Sequence, residues 1–334
     1  MIAAHRRQTR RYDAFSAVPG PRRRRRKPLR PKNSRPLPRL RWPLLLAGAG
    51  ALYGGRKRAR IGLPPAAATV LVATAPLTTA AAIGPGRLRR VAVWAMQMWA
   101  YKIAFEAPHD NRARLQKRMH IDYPIAIDSA IGLGEPPGQR LQASLRRPPR
   151  ITPFDWAMVG IYALWQLEPH AALALILWRR PQRFVAAATR LAATFDLTLV
   201  GYWAIPTSPP WWASEKAGRM GGVIRRVVLE AKRELRDEPR PGADHEVGAN
   251  PWAAMPSDHF ATALATASVL FDLDRRLGAA ALVYAGALGF ALVYLGEHYV
   301  ADLLAGLGLA VGVREAAPAL TPVARAIATC WPHP

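Results

Sequence analysis

Two short segments, about forty residues apart, hold the residue types best suited to chemistry. They are Pro256–His259, which reads Pro-Ser-Asp-His, and Gly296–Asp302, which reads Gly-Glu-His-Tyr-Val-Ala-Asp, and each opens an apolar run. His298 and Asp302 are four residues apart, so they share one face of a helix. At that spacing the carboxylate can hold a proton on one imidazole nitrogen and leave the other nitrogen free to attack.

His259 lies at the predicted start of another helix. Free backbone N–H groups and the positive end of the helix dipole favour a bound phosphate at such a position. Two histidines, one oriented by an aspartate and one beside a phosphate cradle, indicate phosphoryl transfer through a phosphohistidine.

The two segments resemble motifs of the type 2 phosphatidic acid phosphatase superfamily, membrane phosphatases related to vanadium haloperoxidases. That family reads Lys-x6-Arg-Pro, then Pro-Ser-Gly-His, then Ser-Arg-x5-His-x3-Asp. In this chain Asp258 replaces the glycine, and Leu292 occupies the arginine position of the third motif. The first motif is matched only loosely, by Arg233, Arg240 and Pro241. The resemblance covers roughly the second half of the chain.

The resemblance implies that His298 is the nucleophile, that Asp302 orients it, and that His259 protonates the leaving alkoxide. It also implies that the phosphate oxygens are held by Ser257, Arg233 and Arg240. Lys232, a neighbouring cation, is a further candidate for binding the phosphate. Charge-rich phosphoryl transfer depends on such cations and on oriented N–H donors. Neither a metal nor another cofactor is expected. Three nearby cations could replace the missing arginine of the third motif: Lys216, Arg219 and Lys232.

Asp258 places a carboxylate near the expected phosphate position. It would repel a phosphate dianion unless its side chain turns outward. The alternative, which we favour, is an acid in the first turn of a helix that complements the helix dipole.

Residues 200–214 contain Pro-Pro-Trp-Trp and resemble the loop that precedes the phosphate motifs in the inositol phosphorylceramide synthase branch, including its actinobacterial relatives. Trp211 and Trp212 are candidate substrate contacts, and they are equally typical of an interfacial aromatic belt. Asp196 is an ionisable group inside an apolar run, which is costly in a membrane. It could pair with Arg190 or a polar group, or contact the headgroup of an acceptor. Glu168 could contact the substrate or belong to a helix cap.

The composition favours a membrane enzyme. The net charge is +25 with 51% apolar residues, and the region from Arg6 to Arg41 is crowded with arginine and has one acid, Asp13. We expect a disordered cytoplasmic tail that contacts anionic lipid headgroups, with nucleic-acid binding as a less favoured alternative. The single cysteine, Cys330, excludes an internal disulfide framework. We expect no cleavable signal peptide.

The apolar runs predict an all-α integral membrane protein with a six-helix catalytic core and an extra N-terminal membrane hairpin. The predicted divisions are a basic tail at 1–42, a membrane hairpin and a polar surface segment at 43–152, the catalytic core at 153–316 and a C-terminal tail at 317–334. The six core segments are approximately 154–167, 169–179, 184–204, 258–273, 278–296 and 298–314.

The positive-inside rule predicts which face holds the histidines. It places the N-terminus and the basic clusters Arg146–Arg150, Arg179–Arg183 and Arg275–Arg276 in the cytoplasm, with 107–152 as a surface segment there. The histidines then face the extracytoplasmic side of a bacterial plasma membrane. An alternative stays open: the first two core segments are short enough to form one kinked helix, which would invert whatever precedes them.

We therefore predict a metal-independent phosphoesterase or phosphotransferase that acts on a membrane lipid phosphate. Water, or an acceptor such as a polyol or a second lipid, would take the phosphoryl group. The first alternative is a lipid headgroup transferase of the inositolphosphotransferase type. The second is a membrane protein whose catalytic site has degenerated.

Overall fold

The structure, a computed structural model, describes residues 40–236 and 250–329, with side chains as far as residue 319. Within these ranges the chain forms fourteen α-helices and no strand longer than an isolated bridge, so the all-helical prediction is confirmed. The helices are α1 (Arg41–Arg56), α2 (Pro65–Ala82), α3 (Arg87–Glu106), α4 (Arg112–Lys117), α5 (Asp122–Ile131), α6 (Pro137–Leu145), α7 (Pro153–Leu164), α8 (Glu168–Arg179), α9 (Phe184–Ala204), α10 (Pro210–Glu215), α11 (Val227–Arg236), α12 (Asp258–Leu273), α13 (Arg275–Tyr294) and α14 (Val300–Thr329). The predicted basic tail and Arg240 lie outside the described ranges, apart from the last residues of the tail.

Three of the described helical segments are long and apolar enough to cross a bilayer: Pro65–Ala82, Pro181–Ala204 and Arg275–Tyr294. They correspond to α2, to α9 with the short turn before it, and to α13. These segments fit a membrane protein.

Helices α7 and α8 run one after the other in the same direction along the bundle. Near the start of α7, the Asp155 carboxylate accepts a hydrogen bond from the Tyr294 hydroxyl, at the end of α13. Further along α7, the Ile161 carbonyl accepts one from Tyr284, ten residues earlier in α13. The second half of α8 then packs against the C-terminal half of α12. The two helices therefore run as one kinked unit along the bundle, as in the alternative that the sequence left open.

This kink changes the position of the polar segment 107–152. The Asp128 carboxylate accepts hydrogen bonds from the backbone of Val300 and Ala301, just after His298. The Gln142 amide nitrogen donates to the carbonyl of Tyr294. The segment therefore lies at the same end of the bundle as the histidines, and its predicted placement at the opposite face is wrong. The error arose because α7 and α8 were counted as two passes.

The N-terminal helices form a small apolar cluster of their own, centred on Leu52, Val72 and Ile103. Their close approach depends on glycine: a Cβ on Gly55 would lie 2.3 Å from a methyl carbon of Val72. At the other end of the chain, α14 continues to Thr329, past the predicted boundary of the core at 316.

Candidate functional site

Ser257 joins the two histidine segments. Its hydroxyl caps α12 by accepting a hydrogen bond from the Phe260 N–H at 3.3 Å, and its own N–H donates to the Asp302 carbonyl at 3.0 Å. The residue is fully buried. A side chain that caps a helix fixes the direction in which the first turn begins. Ser257 therefore places His259, in that first turn, against α14.

The segment that carries His298 folds back over the end of α13. The N–H groups of Glu297 and His298 both donate to the Leu292 carbonyl, at 3.1 and 3.3 Å. Gly296 makes this turn with φ +76° and with the Arg225 carbonyl 2.8 Å from the position of a Cβ, so only glycine fits without strain. The Leu292 side chain is fully buried in an apolar cluster, so the arginine position of the third motif serves here as core.

The two histidines and Asp302 form a linear array. The Nδ1 of His298 lies 3.2 Å from the Oδ2 of Asp302, and the same oxygen accepts a hydrogen bond from the Tyr299 N–H at 2.9 Å. On the other side of the ring, the Nε2 of His298 lies 3.2 Å from the Nδ1 of His259. Asp302 is fully buried and His298 is 4% exposed. The carboxylate is thus placed to keep the proton on Nδ1 and to direct the lone pair of Nε2 towards His259.

Two aromatic rings enclose the His259 imidazole. The ring centroid of Trp165 lies 4.1 Å from that of His259, and the centroid of Tyr162 lies at 5.1 Å. The indole N–H of Trp165 donates to the Thr262 hydroxyl at 2.7 Å, which fixes the indole plane. These rings come from the kink between α7 and α8, and we did not predict them from the sequence. They exclude water from one side of the imidazole.

Arg226 is, among the described residues, the cation most clearly placed at this site, and we did not predict it from the sequence. Its Nε donates to the Glu297 carboxylate at 2.9 Å, directly before His298, and its guanidinium lies 4.6 Å from the Trp211 ring centroid. Burial lowers the pKa of Arg226, but the carboxylates of Glu297 and Glu215 raise it by more, so the net shift is upward. The sequence signal that we overlooked is the basic pair at 225–226, which lies immediately before an amphipathic helix.

The predicted phosphate cations on α11 are placed differently. Within the described ranges, Lys232 and Arg233 make no hydrogen bond or ion pair with the histidines, Ser257 or Asp302. Arg219 instead forms an exposed ion pair with Asp122 at 3.1 Å. A phosphate-binding role for Lys232, Arg233 and Arg240 remains a prediction.

The Pro-Pro-Trp-Trp loop contacts the histidine segment through its backbone, since the Trp211 N–H donates to the Gly296 carbonyl at 3.0 Å. The Trp211 and Trp212 side chains are buried at 5% and 7% exposure, in a cluster that also contains Leu115 and Trp252. Their direct contact with substrate remains a prediction. What the structure shows is a packed tryptophan cluster that supports the turn before His298.

Asp196 pairs with the Gln97 amide, whose nitrogen lies 2.9 Å from both carboxylate oxygens. The pairing with Arg190 is not found, because Arg190 bonds Asp272 and Ser268. Glu168 begins α8, and its carboxylate makes no hydrogen bond within the described part of the chain. A role for either acid in binding substrate remains a prediction.

Asp128 is a second residue that we did not find from the sequence. Its two carboxylate oxygens accept the N–H groups of Val300 and Ala301 at 3.0 and 2.8 Å, so it caps α14 from a distant helix. Burial raises the pKa of Asp128, and the two N–H donors lower it by less. Because α14 begins two residues after His298, this cap sets the position of His298.

We expect Asp128→Ala to lower the free energy of unfolding by about 2 kcal/mol, since one buried and one half-buried N–H group lose their acceptor, and to lower turnover as well. Thermal unfolding and lipid phosphate turnover of the detergent-solubilised protein measure the two effects. The matched control is Asp274→Ala, which removes an exposed cap that also accepts two N–H groups, at the start of α13. A similar loss of turnover in both variants would contradict a specific role for Asp128.

A family model described as the PAP2 superfamily matches residues 126–314, more than half of the chain, including both histidine segments and Asp128. No curated protein and no solved structure matched the chain. The matched span and the array of His259, His298 and Asp302 lead to one conclusion: the chain belongs to the PAP2 superfamily, whose members are generally phosphatases and phosphotransferases.

Proposed function

We propose that the protein is a membrane phosphoesterase or phosphotransferase that acts on a lipid phosphate through a phosphohistidine at His298, without a metal. One observation carries this proposal: a buried carboxylate bonds Nδ1 of an imidazole whose Nε2 faces a second histidine at 3.2 Å. That is the arrangement of nucleophile, orienting group and adjacent acid that covalent catalysis needs.

In the first step, Nε2 of His298 forms a bond to phosphorus while the bond from phosphorus to the lipid oxygen breaks. The Nδ1 proton stays in the hydrogen bond to Asp302, which stabilises the positive charge that develops on the ring. Protonated His259 donates its proton to the departing alkoxide. In the second step, neutral His259 removes a proton from water or an acceptor hydroxyl, whose oxygen attacks phosphorus and releases His298.

The two imidazoles touch in this structure, so they must part to admit a phosphoryl group. The rings of Trp165 and Tyr162 cover the side of the His259 imidazole that faces away from His298. The space for phosphate therefore opens between the two histidines. Free N–H groups at the first turn of α12 are the expected donors to the phosphate oxygens.

We assign Arg226 as the cation that stands in for the missing arginine of the third motif. Its position beside Glu297, the residue before His298, supports this assignment. We expect Arg226→Gln to lower kcat/KM about 100-fold, chiefly through KM, because the phosphate loses a cation and Glu297 is left without its partner. Steady-state kinetics on a lipid phosphate in mixed micelles measure the effect.

The neighbouring Arg225 offers the matched control. Its side chain is 49% exposed, with acidic partners at 3.9 and 3.8 Å, and we expect Arg225→Gln to change kcat/KM less than threefold. Equal losses in the two variants would show a general effect of basic charge at this end of the bundle and would contradict the assignment.

For the membrane arrangement, we propose six passes formed by α3, the α7–α8 pair, α9, α12, α13 and α14, with α1 and α2 as an additional hairpin. The contacts described above support it, since they place 107–152 and both histidine segments at one end of the bundle. We further propose that this end faces the extracytoplasmic side of a bacterial plasma membrane, with the N-terminus in the cytoplasm. We propose that the basic tail contacts anionic headgroups there.

A lipid headgroup transferase of the inositolphosphotransferase type is the second candidate function. The specific observation in its favour is the Pro-Pro-Trp-Trp loop, which bonds the turn before His298 through the Trp211 N–H. In this case, the adduct on His298 would carry the transferred headgroup phosphate.

The test uses purified protein in detergent with lipids that carry labelled phosphorus, incubated with and without inositol. Labelled inorganic phosphate in the absence of an acceptor would establish hydrolysis. A labelled organic product that requires the acceptor would establish transfer. Failure of both, on a broad panel, would contradict the proposed function and favour a degenerate site.

A further inference from the structure

Asp258 is buried beside the active site in an unusual way. It is the first residue of α12, next to His259, and only 5% of it is exposed. One carboxylate oxygen accepts a hydrogen bond from the Tyr101 hydroxyl at 2.5 Å. Within the described residues the other oxygen is buried without a hydrogen-bond partner. A carboxylate in such surroundings depends strongly on the one donor that it has.

The donor comes from outside the matched span. Tyr101 lies in α3, and the family model begins at residue 126. Its ring is fixed from two sides, by Phe195 of α9 at a centroid distance of 5.0 Å and by Phe105 at 6.1 Å. Tyr202 of α9 completes the arrangement, because its hydroxyl accepts the Asp258 N–H and donates to the Pro256 carbonyl. The hydroxyl of Tyr101 is therefore held at a fixed position against α12.

This contact explains how the chain tolerates an acid where the resembling motif has glycine. A carboxylate next to His259 can repel phosphate, or it can bond the His259 imidazole and draw it away from His298. Neither occurs while the carboxylate is bonded to α3. Among the described residues, the Asp196 carboxylate of α9 also acts on it; this charge is repulsive and offers no alternative partner.

We propose that Tyr101 is a positioning residue that holds the Asp258 carboxylate against α3 and so keeps it away from the space between His259 and His298. This inference rests on the proposed function, because it assigns that space to phosphate. It makes helix α3 part of the active site. Its consequence is a dependence between two positions: Tyr101 matters for catalysis only while residue 258 is an acid.

The experiment compares four proteins, namely wild type, Tyr101→Phe, Asp258→Gly and the double variant. Lipid phosphate turnover and thermal unfolding are measured for each in detergent. In the wild-type background, we expect Tyr101→Phe to lower kcat/KM at least about tenfold, which corresponds to about 1.4 kcal/mol. In the Asp258→Gly background we expect the same change to lower kcat/KM less than twofold. A residue needed only for packing would reduce activity equally in both backgrounds, and that result would overturn the proposal.

Tyr284→Phe is the control, because it removes a half-buried tyrosine hydroxyl that does not contact Asp258. The Tyr284 hydroxyl donates a hydrogen bond to the Ile161 carbonyl in α7. We expect this substitution to leave the rate within twofold of wild type. The unfolding temperatures test the contact even if no lipid phosphate is turned over. The shifts for Tyr101→Phe and Asp258→Gly should fail to add in the double variant. Additive shifts would overturn the proposal whether or not the proposed function holds, whereas non-additive shifts without turnover would count against the function alone.

Discussion

Replacement of His298 by glutamine is expected to lower turnover by a factor of at least about 10⁴, because the glutamine amide cannot form the covalent bond to phosphorus that we assign to the His298 imidazole. Glutamine keeps a polar side chain of similar length at a residue that is 4% exposed, so the fold should persist. After brief incubation with a labelled lipid phosphate and denaturation in base, wild-type protein should carry label that is stable to base and released by acid. The variant should carry none.

His170→Gln is the matched control. This histidine is exposed on α8 and lies with its ring edge-on to Trp94 at 5.8 Å, so its loss should change turnover less than twofold. A labelled His298→Gln protein, or one that keeps more than a tenth of the wild-type rate, would contradict the assignment of the nucleophile. Equal circular dichroism spectra of the three proteins would exclude unfolding as the cause.

The contact between His298 and Asp302 could be predicted because the two residues are only four positions apart in the chain. The spacing still brings the two side chains together, although α14 begins at Val300 and His298 lies just before the helix rather than on its face. The apolar runs predict helices at the positions of α9, α12 and α13. Residues that reach the site from distant parts of the chain have no comparable spacing pattern in the sequence. Arg226, Asp128 and Tyr101 approach the site from three different elements, and a contact over more than 150 residues, such as that of Tyr101 with Asp258, has no local pattern in the sequence.

The position of the polar segment 107–152 could not be predicted from hydropathy either, because it too depends on contacts between residues that are distant in the sequence. Two apolar runs separated by Glu168 and Pro169 have the appearance of two short passes. What distinguishes one kinked pass from two is tertiary contact: α7 begins beside Tyr294 and α8 ends beside the far half of α12. The basic cluster at 146–150 misled the assignment as well, because Arg146 forms an ion pair with Glu230 on α11 at the histidine end.

Replacement of His259 by glutamine is expected to have an effect that depends on the leaving group. Lipid alkoxide is a poor leaving group, so the loss of the proton donor should lower its release by about 10² to 10⁴. The aryl oxide of a substrate such as p-nitrophenyl phosphate leaves without accepting a proton. Release of this leaving group should therefore fall less than tenfold. Because breakdown of the phosphohistidine also needs His259 as a base, the aryl product should appear as a burst of about one equivalent followed by a slow phase. Rapid-mixing measurements on the two substrates test this.

The loss of rate on the lipid phosphate, divided by the loss on the aryl phosphate, shows whether His259 acts as a proton donor or only supports the structure of the site. His259 packs on Trp165 and touches His298, so a purely structural role would slow both substrates alike by displacing the nucleophile. A burst on the aryl phosphate would show that His298 remains in place and still attacks. Equal losses on lipid and aryl phosphates, without a burst, would contradict the role of His259 as proton donor.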